Sequence, residues 1–145
     1  MLISSKGRYA VRILVDIASY ARENPVSMKE MAARQQISLK YSEQIVSTLV
    51  RAGLVKSIRG AQGGYRLAQS PESITIGDVL RYTEGNMSPV GCIEDGEQAC
   101  TRAGHCCVSM RVWKELDEAI KGVIDRYTLQ DLLNWQEEEV GSYVI

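Results

Sequence analysis

No stretch of the 145-residue chain offers the roughly 18–20 consecutive apolar positions that a membrane-spanning helix needs. Histidine occurs once, at His105. No Ser–His–Asp pattern, phosphate-binding glycine loop or dinucleotide fingerprint is present, so the chain does not read as an enzyme. No Cys-x-x-Cys pair occurs either, and that is the knuckle structural zinc sites favour. The opening MLISSKGRYAVRILVDIASYAREN sets basic residues inside an apolar periodicity and lacks a small-residue cleavage site, unlike a signal peptide. A reducing cytoplasm is the expected compartment, where four cysteines serve as thiols or ligands rather than disulfides. Hydrophobic residues at 45% and charged residues at 24% suit a globular chain and exclude a disordered one. The length allows one compact unit, or a small domain with an appended dimerisation element.

What is present is an uneven distribution of charge. Residues 1–66 hold eleven Lys and Arg against four Asp and Glu, a net of +7, and residues 67–145 hold six against fourteen, a net of −8. These halves add to the overall −1. A basic half suits a polyanion, because each cation placed at a phosphate releases condensed counterions. A solvated helix face would account for the same charges.

Periodicity gives the charges a scaffold. Ala10, Ile13, Leu14, Ile17, Ala18 and Ala21 recur at three and four, one stripe of an amphipathic helix. Glu23-Asn24-Pro25 breaks it. Ser27 with Glu30 forms a capping-box pattern before a second helix over about 27–35. Ser38 caps a third, whose inward face is Ile45, Val46, Leu49 and Val50. So short a connection predicts a helix-turn-helix, although Gln36 occupies a turn position that glycine would fill more easily. Residues 54–58 and 64–68 alternate as two strands around the glycine-rich tip RGAQGG. Helix-turn-helix followed by a hairpin predicts a winged helix on double-stranded DNA. Its third helix presents Ser38, Lys40, Tyr41, Glu43 and Gln44 to the major groove, and Arg59 on the wing reaches a minor groove. Glu43 repels phosphate but can accept from cytosine N4, which suits base discrimination.

Toward the other end, Val112, Leu116, Ala119, Ile120, Val123, Ile124 and Tyr127 form a long stripe that fits packing against a second copy. Thr128 caps a last helix over 129–138. Between them, residues 85–108 show no period and hold Cys92, Cys100, His105, Cys106 and Cys107 within sixteen positions. Three separated cysteines fit an iron–sulfur cluster, either [2Fe–2S] or one incompletely ligated by protein, better than structural zinc. Zinc, a thiol switch or no ligand remain alternatives. The expected fold is mainly α with a small β-hairpin wing: a winged helix-turn-helix plus a long C-terminal dimerisation helix. The expected division is a DNA-binding domain at 1–84, a cluster-binding loop at 85–107, and a dimerisation helix, final helix and tail at 108–145.

SSKGRYAVRILVDIA, ISLKYSEQIVSTLVRAGLVKSIRGAQGGYRLA, ITIGDVLR and YTLQDLL together resemble the Rrf family of bacterial winged-helix regulators, IscR-like with CymR-like features. The resemblance covers nearly the whole chain, and RGAQGGY is its most specific part. It implies a homodimeric repressor on a palindromic operator, with DNA contacts on Ser38, Lys40, Tyr41, Glu43, Gln44 and Arg59. It implies three cluster cysteines. Cys92 and Cys100 are two of them; counting back from TLQDLL places the third on Cys107, and spacing from Cys100 places it on Cys106. The fourth-ligand histidine of IscR-like members falls on Met110 or Ser109, and the acidic ligand some members carry on their first helix falls on Arg8. His105, the spare cysteine or an exogenous thiol is left for that role. LVKSIRGAQGGY and EGNMSPV are similar to the cysteine-metabolism branch, which offers a cluster-free alternative controlled by thiol oxidation or by cysteine synthase. The tail Gly141-Ser142-Tyr143-Val144-Ile145 resembles peptides that enter the active site of cysteine synthase, with Ile145 leading.

Overall fold

The computed structural model describes residues 2–93 and 107–143. Helix α1, Ser5–Tyr20, starts where the Ser4 side chain accepts from the Gly7 amide, which satisfies one of the four orphan donors of the first turn. Ala10, Ile13, Leu14 and Ile17 of its stripe are fully buried and form the spine of the core. Helix α2, Met28–Gln35, has the reciprocal Ser27–Glu30 capping box that its sequence predicts. Helix α3, Leu39–Arg51, is capped by Ser38. Ile45, Val46 and Leu49 face the core as expected, whereas Val50 is exposed because it looks outward toward the hairpin beside Tyr65 and Ser57.

Strands β1, Val55–Ile58, and β2, Gly64–Leu67, pair antiparallel with Lys56 opposite Arg66. A third rung comes from Val26, whose amide and carbonyl exchange bonds of 3.0 and 2.8 Å with Tyr65. Gly64 lies so close to the Val26 backbone that a side chain there would collide. Gly60 sits at φ 125°, a conformation few other residues adopt. Arg66 turns back from the wing, and its guanidinium bonds the carbonyls of Ala21, Arg22 and Glu23. It thus closes the end of α1, where helical carbonyls lose their own partners.

Residues 76–84, for which periodicity alone predicts no element, form helix α4, Ile76–Glu84, with a Thr75–Asp78 capping box. Glu84 accepts from the Ser4 amide and hydroxyl at 3.1 and 2.6 Å, fastening the start of α1 to the end of α4. Helix α5 spans Met110–Ile124 and α6 spans Leu129–Tyr143. The last helix runs five residues beyond the predicted end, through Gly141, because its glutamates are good helix formers and no proline interrupts it. A short bridge of Thr75 with Thr128 and bonds between Ile74–Leu129 and Ile76–Tyr127 stitch the start of α4 to the α5–α6 junction. Arg81 adds a two-oxygen contact to Asp125 at 2.7 and 2.6 Å, and that carboxylate holds the guanidinium above its usual range. Leu129 is fully buried in the same core as α1, so α6 returns to the winged helix while α5 stands out from it. Among the described residues no helix is long and apolar enough to cross a membrane.

Candidate nucleic-acid interface and cysteine segment

The turn between α2 and α3 takes three residues, Gln36, Ile37 and Ser38, and Gln36 adopts the left-handed conformation at φ 55°, ψ 44°. The Gln36 and Ile37 amides return to Ala33 and Ala32, closing α2 in the manner of a Schellman end. Asp16 stabilises the pair from below: its buried carboxylate receives Arg34 at 2.9 and 2.8 Å and Gln35 at 3.0 Å. This bond raises the Arg34 guanidinium further into its charged range. Arg34 and Arg66 are therefore engaged inside the domain. They contribute to its basic half but are not free for a partner.

The outward face of α3 carries Lys40, Glu43 and Gln44, all exposed, alongside exposed Ser38. The Ser38 hydroxyl accepts from the Tyr41 amide at 3.1 Å, so it builds the helix end as well as bordering the face. Tyr41 is half-buried, its ring edge-on to Tyr9 at 6.0 Å; only part of it is offered outward. Arg59 is exposed at the hairpin tip beside Gly60. The six predicted contact residues thus divide between the start and outward face of α3 and one loop tip; five are exposed, and Tyr41 packs partly against the core. Leu39 at the first position of α3 is also exposed, an apolar side chain among polar ones that periodicity overlooks because it lies before the inward stripe.

Two of the five predicted cluster ligands are described. Cys92 lies in a 3-10 turn at Gly91–Ile93, and Cys107 just before α5, and both are half-buried. The Cys107 sulfur lies 3.0 Å from the Ser109 hydroxyl. Cys100, His105 and Cys106 lie outside the described residues, as does Ile145. Among the described residues no three His, Cys, Asp or Glu side chains gather around one point. The donors that are described fit a soft metal centre in chemistry, since thiols border the segment at both ends and neither is locked in the core.

The α5 stripe divides in two. Val112, Leu116, Ala119 and Val123 point to solvent, whereas Ile120, Ile124 and Tyr127 are half-buried against their own chain. Tyr127 also meets Trp135 edge-on at 5.2 Å.

Comparison with known proteins follows this geometry. Residues 3–135 match the model of the Rrf2 family, described as an iron-dependent transcriptional regulator. The HTH-type transcriptional regulator CymR of Bacillus subtilis is 42% identical over 144 residues, covering 99% of this chain and 98% of its own. The HTH-type transcriptional regulator IscR of Serratia proteamaculans is 37% identical, covering 94% and 82%. A solved structure of CymR, the global cysteine regulator of B. subtilis, superposes with a TM-score of 0.77 at 43% identity over 93% of this chain and 98% of its own. These relatives are transcriptional regulators, not enzymes.

Proposed function

The chain belongs to the Rrf2 family of winged-helix transcriptional regulators, which bind DNA and act as dimers, and from that premise we propose a cytoplasmic repressor that senses iron–sulfur status. It binds a palindromic operator as a homodimer. Its cysteine segment holds a labile [2Fe–2S] cluster, and its targets are genes of cluster assembly. The observation that carries this reading is the gathering of every cysteine and the sole histidine in one segment between α4 and the outward-facing α5.

On DNA, α3 enters the major groove with Lys40 and Gln44 at phosphates and base edges, Tyr41 and Ser38 at the helix start, and Glu43 selecting by repulsion and by accepting from cytosine. Arg59 reaches the neighbouring minor groove. Two copies joined through α5 space two such helices for two half-sites. Cys92, Cys100 and either Cys106 or Cys107 would hold the cluster, with His105 or the remaining cysteine as a fourth donor; when bound it supplies an oxidisable, exchangeable centre. The chain's own residues do the rest. A segment that prefers one arrangement of α5 over another shifts the DNA-binding population by that difference in affinity.

An anaerobic ultraviolet–visible spectrum with iron, sulfide and zinc analysis tests the assignment. Visible charge-transfer bands with matching iron and sulfide are expected. A colourless protein that resists reconstitution overturns the cluster.

One observation favours a second reading. Similarity to the cysteine regulator extends over nearly the full length of both chains. In that reading the protein is a cluster-free repressor of sulfur metabolism, controlled by thiol oxidation or by cysteine synthase engaging the tail at Ile145. A peptide of residues 136–145 would then bind cysteine synthase and compete with its substrate; absence of binding removes the partner.

A further inference from the structure

The first turn of α3 is fixed from its inner side and offers an apolar side chain to the outside. Ser38 accepts from the Tyr41 amide at 3.1 Å, and the fully buried Ser42 donates its hydroxyl to the Ser38 carbonyl at 3.1 Å. Ile37 and Tyr41 pack against the core. Leu39 lies between them in sequence, at the first helical position, and stays 49% exposed. At 3.6 residues per turn, Leu39 and Glu43 stand one above the other, with exposed Lys40 and Gln44 on the adjoining row. Along the exposed arc of α3 every side chain is polar or charged except Leu39 at its start and Val50 near its end. Val50 has the wing residues Ser57 and Tyr65 beside it. Leu39 stands at the opposite end, where the residues of a recognition helix meet base edges.

A leucine in that place has neither a donor nor an acceptor to offer a base. The apolar group that base edges present in the major groove is the C5 methyl of thymine. We propose that Leu39 is a specificity-determining residue that selects thymine by covering this methyl. The assignment rests on α3 lying in the major groove, with Lys40 and the basic half of the chain drawn to the phosphates. Four residues of helix rise about 6 Å, and base pairs stack about 3.4 Å apart. The thymine therefore falls within about two base pairs of the cytosine that Glu43 accepts from. The two side chains divide the reading between them: the carboxylate takes the exocyclic amine of cytosine, and the leucine takes the methyl that cytosine lacks.

The full-length protein, as purified and after reconstitution with iron and sulfide, first selects its site from a pool of random duplexes. Each thymine of that site is then replaced by deoxyuridine, which keeps the base pair and removes only the methyl. Affinities are measured for the parent and for Leu39→Ala. In the parent, replacement of a thymine within about two base pairs of the position where Glu43→Ala relaxes selection is expected to cost about fourfold per half-site. In Leu39→Ala, with its melting temperature retained, the same replacement is expected to change affinity by less than about 1.5-fold, because the methyl has already lost its partner. Parent losses below about twofold at every such thymine overturn the assignment, and so does an equal loss in parent and variant. A selected site with no thymine in that window overturns it as well. If Leu39→Ala fails to fold, the parent's own losses decide. A parent that selects no sequence overturns the docking of α3 itself, whereas one that selects a site and ignores its methyls overturns only the role of Leu39.

Discussion

Helices α1 and α5 are built on the same apolar periodicity and end in opposite surroundings. Ala10, Ile13, Leu14 and Ile17 of α1 are all 0% exposed, whereas Val112, Leu116 and Val123 of α5 are 58%, 43% and 49% exposed. The difference lies in what each helix is given to pack against. Helix α1 is enclosed by α2, α3, α4, α6 and the wing. Helix α5 touches α4 and the short Gly91–Ile93 turn that carries Cys92, and those leave its outer half bare. A period of 3.6 says that a face will be covered without saying by which chain. In a family of dimers, the bare face of α5 is the natural seat for a second copy.

Two substitutions press on that contrast. Leu14→Ala removes a fully enclosed side chain, and unfolding of the dimer in denaturant is expected to lose about 2–5 kcal/mol. Leu116→Glu places a charge on the outer face of α5 instead. Sedimentation should then show a monomer whose winged helix still melts cooperatively. Operator affinity should fall about 100-fold, because two linked half-site contacts become one. If Leu116→Glu stays dimeric and loses as much stability as Leu14→Ala, the distinction between inner and outer stripes is broken.

The same contrast extends to the binding surface. Arg66 and Arg34 spend their charge on Ala21, Arg22, Glu23 and Asp16, while Arg59 keeps its charge outside. Arg59→Ala should weaken operator binding about tenfold and lower the slope of affinity against salt by roughly one. Glu43→Ala should relax sequence choice with less change in affinity. Unchanged affinity and selectivity in both would remove the docking geometry, though not the fold.

The parts of this molecule legible in its sequence are the local ones. Ser27 with Glu30, Ser38 and Thr128 each cap the helix they precede, because an N-cap needs only its own next three residues. The hairpin was equally plain, with Gly60 and Gly64 at the positions that demand them. What depends on distant residues was not. Thr75 and Asp78 spell a capping box, yet the helix they open is short, and its two contacts that matter lie with Ser4 and Asp125. Nothing near Asp117 announces that a carboxylate on an amphipathic helix will be the buried position. Sequence names five candidate ligands, and the described residues place only Cys92 and Cys107, so the cluster reading rests on donor chemistry.

The smallest expected effect concerns Gln36, where local sequence and local structure disagree. The residue that closes α2 sits at φ 55°, in a region that costs an L-residue with a Cβ about 1–2 kcal/mol. Gln36→Gly removes that strain but gives the unfolded chain more freedom, which offsets about 0.4–1 kcal/mol of the gain. The net expectation is a stabilisation of about 0.5 kcal/mol in thermal or denaturant melts. The control is Ala33→Gly, three residues earlier on the exposed side of α2, where backbone geometry is ordinary and glycine should cost about 1 kcal/mol. Opposite signs at these two positions would show that the turn between the helices, and not helix α2 as a whole, carries the strain. Equal losses would mean that Gln36 makes up for its backbone through contacts of its side chain, and the turn would then be specified by glutamine rather than merely tolerant of it.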